Sequence, residues 1–244
     1  MELTVLGSGG GWALANGAAC GYLLQHDGFN LWVDAGTGTL ANLQAHVAIP
    51  DVDAVVISHR HFDHFLDLYP YFLARYYPVP DRLPKQDLFA PPGMFEHALQ
   101  LEPELAGAFD AHVVELGSGF EVGPFSIRTA PMRHPVPTLG MRIEADGTAL
   151  AYSADTGPTE ELVRLATGAD LMLCEATWLA VPPAAGPFHL TPPDAGDLAA
   201  RAGVGRLVLT HIWPTNDREE TRGMAEAAFG GPVDVAEVGM RVQL

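Results

Sequence analysis

His59-Arg60-His61-Phe62-Asp63-His64 sets three imidazoles and a carboxylate within six residues, directly after the apolar run Ala54-Val55-Val56-Ile57. An unbroken apolar run bounded by Asp53 and Ser58 reads as a strand buried on both faces. The polar run therefore begins where that strand leaves the core. Packing gives no reason to cluster histidines there, and a solvated polar turn leaves the clustering unexplained. Imidazole and carboxylate suit zinc and similar divalent ions. Spacings of two, two and one on an irregular turn let the side chains diverge toward two neighbouring metals.

Working outward, further His and Asp residues follow other expected strands. His134 comes after the strand 125–132, Asp155 after 149–153, His211 after 207–210, and Asp34 after Leu31-Trp32-Val33. Any one of them alone has a structural reading; together they would gather on one edge of the sheets. Alternation gives a first strand over 2–6, and a hairpin over 21–26 and 29–34 turning at Asp27-Gly28. Strands are expected at 87–90, 112–115, 120–122, 139–144 and 171–175, with two short ones at the close. Helices are expected over 40–46, 66–77, 92–101, 160–166, 191–202 and 217–229, the fifth opened by Thr191-Pro192-Pro193-Asp194. Residues 78–84 and 181–187 read as loops. Gly7-Ser8-Gly9-Gly10-Gly11 lacks the spacing of a phosphate cradle and reads as a tight turn beside the site. The aromatic segment 69–77 reads as core, with a pocket wall or dimer face as alternatives. His26, His46, His97 and His112 read as structural or surface residues, and Arg60 is left without a role.

The spacing HxHxDH is the signature of the metallo-β-lactamase superfamily, which the sequence resembles over nearly its whole length. The resemblance implies an α+β fold, a four-layer αβ/βα sandwich, with residues 1–244 one domain of two pseudo-symmetric half-domains. It implies that His59, His61 and His134 hold one metal, that Asp63, His64 and His211 hold a second, and that Asp155 bridges them. Asp34 would orient one of these side chains from behind. The β-lactamases themselves usually carry cysteine where this chain has Asp155, so β-lactam hydrolysis is not expected. Glu175, in Cys174-Glu175-Ala176-Thr177-Trp178, and His189, in Phe188-His189-Leu190-Thr191, resemble a Glu–His pair of ribonuclease Z and related phosphodiesterases. A carboxylate there would fix the imidazole, which could stabilise a phosphoryl oxygen or protonate the leaving group; a satisfied loop histidine is the alternative. Ribonuclease Z carries a tRNA-gripping arm between the equivalents of His134 and Asp155, where only a short hairpin fits here. The compact layout is closer to small phosphodiesterases that open cyclic diesters, including the one of phosphonate breakdown, whose cysteine-rich structural metal site is absent.

Composition bounds the rest. Hydrophobic residues make up 48% and charged residues 18% of the 244 positions, enough for a sizeable core. No apolar run is long enough for a membrane span, and Gly7 to Gly11 interrupts any leader, so a cytoplasmic protein without membrane partners is expected. Cys20 and Cys174 form no CxxC pair and read as buried small residues. A formal net charge of −17, with one lysine, offers no basic stripe for a long nucleic acid. A small anionic substrate stays compatible, because two divalent cations would invert the local field. The expectation is thus a metal-dependent hydrolase with two divalent ions, Zn2+ or else Mn2+ or Fe2+, opening a small or cyclic phosphodiester through a shared hydroxide. Asp63 could accept a proton from that water, and Glu175 with His189 would assist the leaving oxygen. The alternatives are a lactone or thioester hydrolase and an iron-dependent oxidoreductase; tRNA processing is expected less. The resemblance also implies a homodimer.

Overall fold

A computed structural model describes residues 1–77, 82–182 and 184–244. The apolar alternation of the first half folds into β1 (Glu2–Gly7), β2 (Gly21–His26), β3 (Phe29–Val33), β4 (Ala54–Val56), β5 (Gln86–Ala90) and β6 (Phe109–Val113). They lie side by side in that order, with the last strand of the chain, β14 (Arg241–Gln243), against β1. The second half supplies β7 (Gly119–Val122), β8 (Phe125–Pro131), β9 (Leu139–Ala145), β10 (Thr148–Tyr152), β11 (Leu171–Glu175), β12 (Arg206–Thr210) and β13 (Val233–Val235), again in sequence order. Asp27 and Gly28, at φ of 48° and 80°, make the expected hairpin turn between β2 and β3.

Each sheet is antiparallel on one side and parallel on the other. The runs β3–β4–β5–β6 and β10–β11–β12–β13 are parallel. Parallel strands carry their ligand sites beyond their carboxyl ends, and both sets point those ends to one rim. The inner faces of the sheets meet in a core that includes Leu3, Leu31, Val56, Ile127, Met141, Leu173 and Val208. Helices α1 (Thr39–Leu43), α3 (Leu68–Tyr76) and α4 (Met94–Leu99) cover the outer face of the first sheet through Leu43, Tyr71, Phe72 and Met94. Helices α5 (Glu160–Ala166), α6 (Pro192–Ala202) and α7 (Arg218–Phe229) cover the second through Leu162, Leu198 and Ala225. The result is the expected α+β arrangement in four layers.

Local differences have local causes. The turn expected to carry the histidine run closes early, since α2 (Phe62–Phe65) starts inside it and puts Asp63 and His64 on helical backbone. The helix expected over 66–77 accordingly begins at Leu68. The strand expected over 112–115 is instead β6, three residues earlier. It is a sheet edge with four of five side chains exposed, so its sequence has no alternation to mark it. Two short 3₁₀ turns, Ile49–Asp51 and Pro103–Gly107, were not foreseen. The aromatic segment packs inward through Tyr71, edge-on to Trp32 with ring centroids 5.1 Å apart. Residues 78–81 of the first expected loop and residue 183 of the second lie outside the described residues. No helix among the described residues is long and apolar enough to cross a membrane.

Candidate metal centre

Six strand ends deliver the side chains, five of them from parallel strands. Asp34 follows β3, the run from His59 follows β4, Asp155 follows β10, Glu175 ends β11 and His211 follows β12. His134 follows the antiparallel strand β8. Asp34, Ala154 and His211 turn out of their strands with φ of 56°, 49° and 48°. Left-handed backbone at non-glycine residues costs on the order of 1–3 kcal/mol each and is kept where the surroundings over-determine it. Here it aims side chains off the strand ends into one cluster.

The cluster has two sides. One donor atom each from His59, His61, His134 and Asp155 lies within 4.8 Å of the others. On the other side His211 Nε2 is 3.1 Å from Asp63 Oδ2 and 3.4 Å from Asp155 Oδ1. His64 Nε2 is 3.2 Å from Asp155 Oδ1 and 3.8 Å from Asp63 Oδ2. Asp155 is thus common to both sides, its Oδ2 3.5 Å from His59 Nε2. All seven residues expected from the sequence converge.

The surroundings fix which nitrogen each imidazole presents. Asp34 accepts four hydrogen bonds: from Ser58 N at 2.7 Å, Ser58 Oγ at 2.8 Å, Tyr152 Oη at 2.7 Å and His64 Nδ1 at 2.8 Å. Because Ser58 Oγ donates to Asp34, it accepts from His59 Nδ1 at 3.0 Å. Thr177 Oγ1 likewise donates to Glu175 at 2.6 Å and accepts from His211 Nδ1 at 2.7 Å. His134 Nδ1 donates to the Phe188 carbonyl at 3.2 Å. Four imidazoles therefore turn Nε2 toward the centre. This is how proteins fix the tautomer of a metal-binding histidine.

The donor set fits divalent cations. His59 Nε2, His64 Nε2 and Asp155 Oδ1 are buried with no hydrogen-bond partner. An unsatisfied buried polar group costs about 1–3 kcal/mol, so three aimed at one point call for a ligand. His134 Nε2 and His61 Nδ1 face each other at 2.9 Å. With His134 donating through Nδ1, a cation between the two nitrogens suits that pair. Charge agrees with this. Burial pulls His64 down, but the carboxylates of Asp155, Asp34 and Asp63 outweigh it and hold it well above the ordinary imidazole range. Burial lowers His61 to about 4 and His134 to about 3, keeping their lone pairs free. Against burial, the surrounding imidazoles hold Asp63 and Asp155 well below the carboxylate range.

Glu175 and His189 adjoin this cluster. Glu175 is fully buried; Oε1 accepts from Thr156 N at 2.6 Å and His189 Nδ1 at 3.1 Å, and Oε2 from Leu190 N at 3.0 Å. His189 lies over His211 with ring centroids 5.4 Å apart and planes within 8°. Burial opposes its charge, and the Glu175 carboxylate overcomes that and lifts it to about 9. Asp194, paired with Thr191, takes up the start of α6 in a capping box.

The glycine-rich stretch is a turn beside the site with a task of its own. Gly11 N–H donates to Asp63 Oδ2 at 2.7 Å. A Cβ on Gly10 would stand 2.9 Å from His211 Nδ1, so only glycine lets the loop pass. Spacing gave no sign of Ser58 or Tyr152. Only Thr177 left a trace, two residues past Glu175 and hence on the same side of an extended chain. Cys20 is buried as expected, but its sulfur also lies within 4.8 Å of ring nitrogens of His64 and His211. His97, read as structural or surface, stacks near Phe62 and lines a cleft of about 170 Å³ with Arg60 and His61.

Comparison with known proteins agrees with the geometry. The family profile described as "Beta-lactamase superfamily domain" matches residues 30–212. Protein Rv1339 of Mycobacterium tuberculosis is 37% identical over 242 residues, covering 96% of this chain and 88% of its own. The probable metallo-hydrolase YhfI of Bacillus subtilis is 31% identical over 243 residues, 98% of both chains. Its crystal structure superposes with a TM-score of 0.90 across 99% of each chain, at 28% identity. The ribonuclease Z of Mycolicibacterium gilvum is 30% identical over 276 aligned positions, spanning all of this chain and 96% of its own. With the fold, the histidine and aspartate cluster and these matches in agreement, the chain belongs to the beta-lactamase superfamily, as one of its divalent-metal-binding hydrolases.

Proposed function

We propose that this hydrolase opens a small or cyclic phosphodiester using two divalent metal ions, zinc in the first instance. The observation that carries the reading is the Glu175–His189 pair, 3.1 Å between Oε1 and Nδ1, placed against His211 and His134. His59, His61 and His134 would hold one ion, Asp63, His64 and His211 the other, and Asp155 both. Divalent ions in such a site supply Lewis acidity and bring the pKa of water to near 7.

The residues of the chain do the remainder. Glu175 holds His189 Nδ1–H and fixes the ring. A ring nitrogen of His189 lies within 4.8 Å of Asp155 and His211 donor atoms, so the imidazole reaches the reacting group. From there it donates a proton to the departing oxygen or a hydrogen bond to a non-bridging one. Asp63, whose Oδ2 accepts from Gly11 N–H, would accept a proton from the attacking water. The ribonuclease Z relative supports phosphodiester chemistry, and the acidic surface favours a small substrate over tRNA.

The test compares bis(4-nitrophenyl) phosphate, cyclic nucleotides and lactones as substrates. Hydrolysis of the diesters with lactones untouched is expected, and the reverse pattern would move the reading to carboxylic esters. His61→Ala should abolish hydrolysis and lower metal content. His189→Ala should reduce kcat about 10²–10⁴-fold, the range of general acid–base catalysis, with metal content unchanged. Full activity in His189→Ala would remove that residue from the reaction.

A further inference from the structure

The acidic balance makes the fate of each cation informative. Thirty Asp and Glu face thirteen Lys and Arg. Nine of the cations pair with carboxylates, as Lys85 does with Asp110 and Arg142 with Glu144. Arg75 is buried on the Pro84 carbonyl, and Arg82 lies over the Tyr76 ring and bonds its carbonyl. Among the described residues this leaves Arg60 and Arg133 with no side-chain partner. Both sit directly beside residues of the metal cluster, Arg60 between His59 and His61 and Arg133 before His134.

Their surroundings differ. Arg60 borders the smaller cleft with His61 and Phe62. Arg133 lines a cleft of about 380 Å³ together with His189, Pro158, Pro182, Pro187 and Asp194. Its backbone is fixed, since Arg133 N–H donates to Thr156 Oγ1 at 3.0 Å and Thr156 N–H donates to Glu175. The same buried carboxylate thus anchors both His189 and the strand end that carries Arg133. The acid in the cleft, Asp194, is turned toward its own helix start, its Oδ2 accepting from Thr191 N at 3.0 Å and Thr191 Oγ1 at 2.6 Å, and it makes no ion pair with Arg133. A guanidinium with no acid to satisfy it, at the mouth of a cleft that opens on the leaving-group residue, is suited to an incoming anion. Its planar fork matches phosphate in two-point contact.

We propose that Arg133 is a specificity residue that binds a second phosphoryl group of the substrate, in the cleft it shares with His189. The inference rests on the phosphodiester reading and narrows it to diesters that carry a further phosphate on the side of His189. It also accounts for how a chain of net charge −17 admits a multiply charged anion: the guanidinium and the metals, once bound, would present positive charge beside the cluster.

The experiment uses the metal-loaded protein and two product-like probes, thymidine 3′-phosphate and thymidine 3′,5′-bisphosphate. Binding is followed by tryptophan fluorescence, Trp178 being 6.3 Å from His189 between ring centroids. The wild type is expected to bind the bisphosphate about tenfold more tightly, the effect of one charge-assisted contact. Arg133→Gln should bring the ratio of the two dissociation constants to about one, and Arg133→Lys should restore part of it. Arg60→Gln, which removes an equal charge beside the same cluster, should leave the ratio as in the wild type. Equal affinity for the two probes in the wild type, no binding of either, or an unchanged ratio in Arg133→Gln overturns the proposal. So does an equal loss in Arg60→Gln, which would mean a general field and not a site. The ratio is read without turnover, so its failure is separate from a failure to hydrolyse bis(4-nitrophenyl) phosphate.

Discussion

Asp34 shows how much of the site rests on residues that never face its centre. One carboxylate takes donors from Ser58, His64 and Tyr152, and so ties the ends of β3 and β4 in one sheet to β10 in the other. Removing the Tyr152 hydroxyl leaves a buried carboxylate short of one donor, at a cost of about 1–3 kcal/mol. Tyr152→Phe should therefore lower unfolding stability by that amount and weaken metal affinity about 10–100-fold, as losses behind a metal site commonly do. Denaturant titration with and without a chelator measures the first, and competition with a chromophoric chelator the second. The histidine run was legible because four metal-binding side chains in six residues have no packing explanation. Ser58 and Tyr152 were not, because a buried hydroxyl looks the same in sequence whether or not it supports a cluster residue.

Among the elements, those with a strong apolar period were legible and those set by their neighbours were not. β4 and β12 stand where their apolar runs place them, because a strand buried on both faces has one reading. β6 slid by three residues, since its position is set by pairing with β5 and not by its own side chains. The helix α2 arises inside the histidine run because Ala35 N–H donates to the His64 carbonyl and Cys20 N–H to that of Asp63, a tertiary constraint with no local mark. Gly36 permits this approach: a Cβ there would stand 2.0 Å from the Asp63 carbonyl oxygen. Helix α6 is the clearest local signal, a cap whose side-chain and backbone bonds are reciprocal. Thr191→Ala should cost about 1 kcal/mol, the usual value of a lost cap. Metal content should stay unchanged, because no metal-facing side chain lies on that helix; a shifted urea midpoint with full metal stoichiometry is the expected result.

For the molecule as a whole, the cluster couples stability to pH. Burial lowers His59, His61 and His134 from 6.5, the latter two to about 4 and 3, so in the absence of metal the folded chain resists protons that the unfolded chain takes up at 6.5. The unfolded state binds more protons below that value, and stability of the metal-free protein falls as pH drops from 6.5 toward 4. His64 and His189, both raised, hold their protons in the folded state before the unfolded chain does, so they oppose the trend near pH 6.5 and add little slope well below it. Asp67, raised by burial, opposes the trend only near the acid end. Thermal melting in the presence of a chelator should show a midpoint that declines steadily from pH 6.5 to 4.5.

The cluster draws on both sheets and on widely spaced parts of the chain, from Asp34 to His211. This sets an order of events during synthesis. When His64 is added to the growing chain, 146 residues remain before His211, and the fragment made by then holds neither Asp155 nor His134. If the proposed residues hold the metals, full coordination becomes available only once β12 has docked beside β11, and a firmly held ion would then be a certificate that translation and folding have passed both halves of the protein. A truncated or arrested chain would carry the motif and yet have no lasting hold on metal.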